Sequence, residues 1–152
     1  GDGGLSVLDY KTGARHGIDG LADDPVAGGT RLQLLLYGLA AAEQYRPRGP
    51  VTSSYWFVGG RGRSPGQAPL AGVGLSEDGE RRLAEVLGIL VRAIETGTFP
   101  ANPGPPTART ARGSHCTVCP FDRICPSERL RDWQRKRSDP WVADYLALGQ
   151  PA

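Results

Sequence analysis

No methionine occurs in these 152 residues, so Gly1 does not read as a natural start, and the chain is expected to be an excised piece of a longer protein. No apolar run approaches the roughly 20 residues that span a bilayer. No charged, apolar and small-residue leader opens the chain either. The sequence therefore reads as soluble and intracellular, with no membrane partner. Cysteine is scarce, at three residues. An odd count without a secretory signal argues against a disulfide framework. Lysine is scarcer still, because only Lys11 and Lys136 stand among the 18 Lys and Arg. GC-rich coding accounts for much of such a bias. A lysine kept at position 11 nevertheless points to a need for a compact ammonium that touches one oxygen or shifts its pKa, which a guanidinium fork does not do.

What is plentiful is glycine and proline, 22 and 13 residues, so loops should be many. The length fits one domain with a real core. Charge is unevenly spread. Residues 1–24 hold five Asp against Lys11 and Arg15, and residues 109–137 hold eight Arg or Lys against Asp122, Glu128 and Asp132. A basic C-terminal stretch suits a polyanion, and a solvated charged face is the equal alternative.

"GDGG" (1–4) predicts a hairpin turn with its partner strand upstream of the chain, and Leu5–Tyr10 a strand after it. Residues 13–29 read as loop. From Thr30, "TRLQLLLYGLAAAEQ" has helical periodicity through Leu32, Leu35, Leu36 and Leu39, and "RPRGP" (46–50) stops it. "VTSSYWFVGG" predicts a strand, and "APLAGVGL" (68–75) a weaker one paired with it across 59–67. Ser76 is a candidate N-cap for a helix whose face is Leu83, Leu87, Leu90, Val91 and Ile94, ending near Gly97. "FPANPGPP" (99–106) is a linker. A charged helix over 127–137 and a short helix after Pro140 close the chain.

Two constellations carry chemistry. "CTVCPFDRIC" places Cys116, Cys119 and Cys125 in a Cys-x2-Cys-x5-Cys array. Thiolate ligation of a metal centre fits this spacing best, against small hydrophobes or a redox pair. Zinc and iron–sulfur centres want four ligands, so one is lacking, and His115 is awkwardly adjacent to Cys116. A fourth cysteine outside the chain is the simpler completion. In "LSVLDYKTG" (5–13), alternation puts Leu5, Val7, Asp9 and Lys11 on one strand face. A carboxylate and an ammonium so placed can hold a divalent cation and orient a water, or form a plain ion pair at a strand end. On the helix, Gln33 and Tyr37 are four residues apart and share a face, either toward a polar ligand or toward solvent.

"VLDYKTG", then "QLLLY", then the Cys-x2-Cys-x5-Cys tail resembles the RecB-like nucleases of the PD-(D/E)XK superfamily, in the AddB-type branch that carries an iron–sulfur cluster. The likeness runs from Leu5 to about Arg129. It implies an α/β restriction-endonuclease-like core, a mixed central sheet flanked by helices, with a cysteine-stapled C-terminal tail and the N-terminal part of the fold missing. Residues 1–98 would be the partial nuclease core and residues 99–152 the linker, cysteine segment and C-terminal helices. It further implies a metal-dependent DNA exonuclease in double-strand-break repair, in the bacterial cytoplasm at the nucleoid, fused to or partnered with a helicase. Asp9 and the main-chain carbonyl of Tyr10 would bind Mg²⁺ or Mn²⁺. Lys11 would position the attacking water and compensate phosphate charge. Gln33 and Tyr37 would face the DNA backbone. Cys116, Cys119 and Cys125 would be three of four ligands of a 4Fe–4S cluster. The first metal-binding Asp and the fourth cysteine of such enzymes lie upstream of Gly1, so the fragment alone is expected to be inactive. The alternative is an inactive nuclease-like module that binds DNA or braces a partner, with an iron–sulfur or zinc staple.

Overall fold

The structure, a computed structural model, describes residues 3–15, 17–59, 70–107, 113–121 and 123–149. The chain divides into two compact units, Gly1–Gly88 with Leu148–Ala152, and Ile89–Ala147.

The first unit is an α/β layer. Strand β1 (Leu5–Lys11) is followed by helix α1 (Gln33–Tyr45) and strands β2 (Val51–Phe57) and β3 (Leu70–Gly74). The sheet order is β1-β2-β3. β1 and β2 run parallel, with Asp9 opposite Tyr55 and Lys11 opposite Phe57, and β3 pairs antiparallel to β2. The sheet is thus mixed and flanked by helices, as expected. Parallel neighbours need a crossover, and α1 supplies it.

α1 lies on one face of the sheet because Leu34, Leu35 and Gly38 recur on its inner side. β2 answers with Val51, Ser53, Tyr55 and Phe57, all buried. Gly38 is the contact point: a Cβ there would come within 2.8 Å of Ser53 Oγ, so only glycine lets the helix come this close. The opposite face of the sheet exposes Leu8, Tyr10, Trp56 and Leu70, with the Tyr10 and Trp56 rings stacked 5.4 Å apart. α1 ends at Arg46, which takes the left-handed conformation immediately before Pro47.

Residues 13–29, expected as loop, form no strand or α-helix among the described ones but are not peripheral, and the helix expected from Thr30 begins at Gln33. Ile18, Leu21 and Val26 are buried, and the first two join Leu34, Tyr55 and Phe57 in one core cluster. Asp24 holds this segment, its carboxylate accepting from Val26 N and Gly28 N at 3.3 and 2.7 Å and pairing with Arg82 at 3.5 Å. Half of the hairpin turn expected at 1–4 lies outside the described residues, as does nearly all of the connection across 59–67.

Helix α2 (Glu77–Thr96) starts as expected, with Ser76 Oγ accepting from Gly79 N at 3.2 Å. It ends in a Schellman motif: Gly97 has φ +67°, and the amides of Gly97 and Thr98 donate to Ile94 O and Ala93 O. The expected apolar face holds only in part. Gly79, Leu83 and Val86 are buried, whereas Val91 and Ile94 are exposed. The buried positions all lie in the first half of this 20-residue helix, where Gly79 packs near Leu35 of α1 and Val86 near Gly29.

In the second unit, a 3-10 turn (Ser114–Val118) precedes α3 (Arg129–Lys136), and Pro140 opens a 3-10 turn leading into α4 (Ala143–Ala147). Trp133 meets Tyr145 edge-on at 6.2 Å, and Asn102 donates to the Tyr145 hydroxyl at 3.1 Å. Among the described residues, no helix is long and apolar enough to cross a membrane.

Candidate active site

β1 alternates between half-buried and exposed residues, with Leu5, Val7, Asp9 and Lys11 turned inward and Ser6, Leu8 and Tyr10 outward. The acid and the amine therefore share the face that α1 covers. Lys11 Nζ lies 2.9 Å from Asp9 Oδ2. It also donates to Gln33 Oε1 at 3.0 Å. Gln33 reaches it because α1 begins at that residue, beside the end of β1.

Asp9 Oδ2 is buried and makes no aligned hydrogen bond among the described residues; the ammonium is near it but poorly directed. A buried carboxylate oxygen in that condition suits a hard cation. Leu5 N donates to Pro50 O and Val58 N donates to Lys11 O, so the odd-numbered residues of β1 turn their main chain toward β2. In a parallel ladder the intervening residues turn theirs away. The carbonyl of Tyr10 thus faces the other edge of β1, where the described residues supply no strand. Beyond Asp9 the acid set is thin: among the described residues no three His, Cys, Asp or Glu side chains form a group able to hold a metal ion.

Tyr37, one turn beyond Gln33, is 45% exposed. It shares the helix face as the spacing implied, but it is not drawn into the Lys11–Gln33 contact. Two residues that the sequence reading passed over join the corner instead. Tyr55, opposite Asp9 on β2, is 1% exposed, and its ring lies 4.8 Å from Lys11 Nζ. Burial pushes its phenol above the ordinary value, while Lys11 and Arg31 pull the other way. Arg31 lines the same small pocket as Lys11 and Tyr55. The available signal was β2's own alternation, which sets a hydroxyl-bearing ring on a buried face two residues from Ser53. A larger pocket of about 470 Å³, beside Asp24, Asp78 and Arg82, contains none of the expected site residues.

The cysteine segment is assembled differently. Cys116, Cys119 and Cys125 are half-buried free thiols lining one pocket of about 140 Å³ with His115, Asp132 and Trp133. They share a pocket, yet they do not converge into a coordination group. His115 Nδ1 lies 3.1 Å from Asn102 O. The donor set is chemically apt, since soft thiolates suit zinc and iron–sulfur centres, but it supplies three ligands, and the backbone bearing them is a 3-10 turn followed by turns.

Residues 1–126 match the family profile described as the PD-(D/E)XK nuclease superfamily. The chain is also similar to the Gene 69 protein of Mycobacterium phage D29, at 29% identity over 125 residues, which covers 82% of the chain and 38% of the phage protein. It thus spans less than two fifths of that relative's length. No solved structure matches it significantly.

Proposed function

The chain belongs to the PD-(D/E)XK nuclease superfamily, and from that membership and the Asp9–Lys11–Gln33 corner we propose that it is part of a metal-dependent DNA exonuclease domain of the RecB/AddB type, acting in double-strand-break repair beside a helicase. The observation that carries this reading is one lysine held between a carboxylate at 2.9 Å and an amide oxygen at 3.0 Å, at the end of a strand. Asp9 and the Tyr10 carbonyl are the residues to hold Mg²⁺ or Mn²⁺. Such an ion, when bound, supplies a hydroxide near neutral pH and offsets phosphate charge. Gln33 fixes the Lys11 side chain, so that its remaining N–H donors aim at a water and a phosphate oxygen. Tyr37 presents its hydroxyl to the nucleic-acid backbone. The excess of Arg and Lys over residues 109–137 adds sequence-independent attraction to DNA. Cys116, Cys119 and Cys125 are proposed as three ligands of a 4Fe–4S cluster, on the support of their spacing and shared pocket.

The test is degradation of linear and of closed circular duplex DNA by the full-length protein with Mg²⁺, Mn²⁺ or EDTA. Loss of linear DNA alone, and only with the metals, is the expected outcome. Cutting of the circle would replace an exonuclease with an endonuclease. A second reading, an inactive nuclease-like module that binds DNA or braces a partner, draws on the thin acid set around Asp9. Retained DNA binding without any cleavage would favour it. Colour and iron analysis after anaerobic purification separate an iron–sulfur staple from zinc.

A further inference from the structure

A pocket of about 90 Å³ opens beside Lys11, at the side of the corner where Tyr55 lies. Lys11, Arg31 and Tyr55 provide its polar lining, and Gly13, Ile18 and Phe57 complete its walls. Tyr55 is almost wholly buried, yet its hydroxyl has no hydrogen-bond partner among the described residues. Proteins seldom bury a hydroxyl and leave it unmatched without reason. The groups acting electrostatically on the phenol include Lys11, Arg31, Asp9 and Tyr37, and the Lys11 ammonium lies 4.8 Å from the centre of its ring.

The residues that line it bring an ammonium, a guanidinium and the buried O–H of Tyr55, and no carboxylate. Lys and Arg offer donors only, and the phenol has one O–H to give. The complementary ligand is a compact, multiply charged oxyanion that only accepts, and phosphate meets that description. Lys11 Nζ has three N–H donors, of which Gln33 takes one, so the same ammonium can serve the Asp9 side and this pocket together.

Resting on the nuclease reading above, we propose that this pocket is a phosphate subsite of the same active site. Tyr55 Oη and Arg31 hold a nucleic-acid phosphate next to the scissile one, and Lys11 belongs to both positions. The subsite fixes how the strand lies relative to Asp9. Tyr55 and Arg31 are thus binding residues of the reaction, outside the Asp-x-Lys pair itself.

The experiment measures binding of a short single-stranded oligonucleotide to the full-length protein in EDTA, where no cleavage occurs, alongside thermal midpoints. Tyr55→Phe is expected to weaken binding about tenfold, roughly the worth of one good hydrogen bond to a charged group. Its midpoint should not fall, because the removed hydroxyl bonds to nothing among the described residues. Arg31→Gln should weaken binding at least as much. Strands with and without a 5′-phosphate identify the occupant: equal losses mean an internal diester, and losses confined to the phosphorylated strand mean a terminal monoester. Unchanged binding in Tyr55→Phe overturns the subsite, and so does a lowered midpoint, which would make the hydroxyl structural. Wild-type cleavage with unaltered Tyr55→Phe binding sinks the subsite alone. Weakened binding in a protein that never cleaves sinks the nuclease reading and leaves the phosphate pocket standing.

Discussion

The corner where β1 meets α1 and the segment around Cys116–Cys125 both place reactive side chains at tight sequence spacing, but they turn spacing into geometry in different ways. In the corner, strand alternation puts Asp9 and Lys11 on one face, the crossover brings Gln33 within 3.0 Å of Lys11, and parallel register sets Tyr55 opposite Asp9. Each step is enforced by main-chain hydrogen bonds and by burial beneath α1. The described residues of the cysteine segment form a 3-10 turn and further turns, with Pro120 and Pro126 among them. Among the described residues the three thiols share a pocket without forming a coordination group. Regular elements preorganise a site. On the proposed reading, the cysteine segment relies on a bound metal to finish its fold.

The sharpest way to break this contrast is to remove chemistry from the preorganised side. Lys11→Ala and Asp9→Ala in the full-length protein should each lower metal-dependent DNA cleavage by about 10²–10³-fold or more, with the far-ultraviolet circular dichroism unchanged. A variant with either substitution and near-normal rates would reduce the corner to a strand-end ion pair. On the other side, Cys119→Ser should abolish the visible absorbance and iron of an anaerobically purified protein. Protease should then cut first within 113–128, while the fragment containing β1, α1 and β2 persists. Simultaneous loss of both regions would show that the cysteine segment is not separable in stability from the sheet.

Smaller effects probe how the corner is held. Gly38→Val drives a side chain against Ser53 Oγ, within 2.8 Å of where its Cβ must lie, and overpacking of this kind costs about 1–3 kcal/mol. Urea unfolding should show a lower midpoint at unchanged slope. Gln33→Ala removes a side-chain acceptor that helps to aim Lys11. A charge-assisted hydrogen bond is worth about 1.5–3 kcal/mol, so a loss of about tenfold or somewhat more in cleavage rate, with little change in DNA affinity, is expected. A change in affinity alone would make Gln33 a DNA contact instead.

The same contrast explains what the sequence could disclose. The Asp9–Lys11 face and the Gln33–Tyr37 face were legible because periods of 2 and about 3.6 map directly onto direction. Gln33 meeting Lys11 required only that α1 lie on that face of the sheet. Three other features were hidden. Ile18, Leu21 and Val26 are core residues inside a Gly- and Asp-rich stretch with no period to reveal them. Tyr55 reads as an ordinary buried strand aromatic until its hydroxyl, without a partner among the described residues, is placed in three dimensions. The stripe of α2 predicted Val91 and Ile94 as buried, because periodicity indicates a face but not where its cover ends.

The smallest expected effect concerns the end of α2, and it asks whether the two regions can be perturbed independently. Gly97 has φ +67°, and its amide and that of Thr98 satisfy the carbonyls of Ile94 and Ala93. A Cβ at Gly97 meets nothing within 4 Å, so the cost of Gly97→Ala is conformational only. A residue with a Cβ in the left-handed region pays about 1 kcal/mol. Gly97 belongs to the Ile89–Ala147 unit, which also holds the three cysteines. If the corner is held by its own sheet and helix, the substitution should quicken amide exchange near 93–98 and leave the cleavage rate as it was. A fall in cleavage would mean that the corner depends on the second unit for its geometry, and the claim that β1, α1 and β2 suffice to assemble it would be lost.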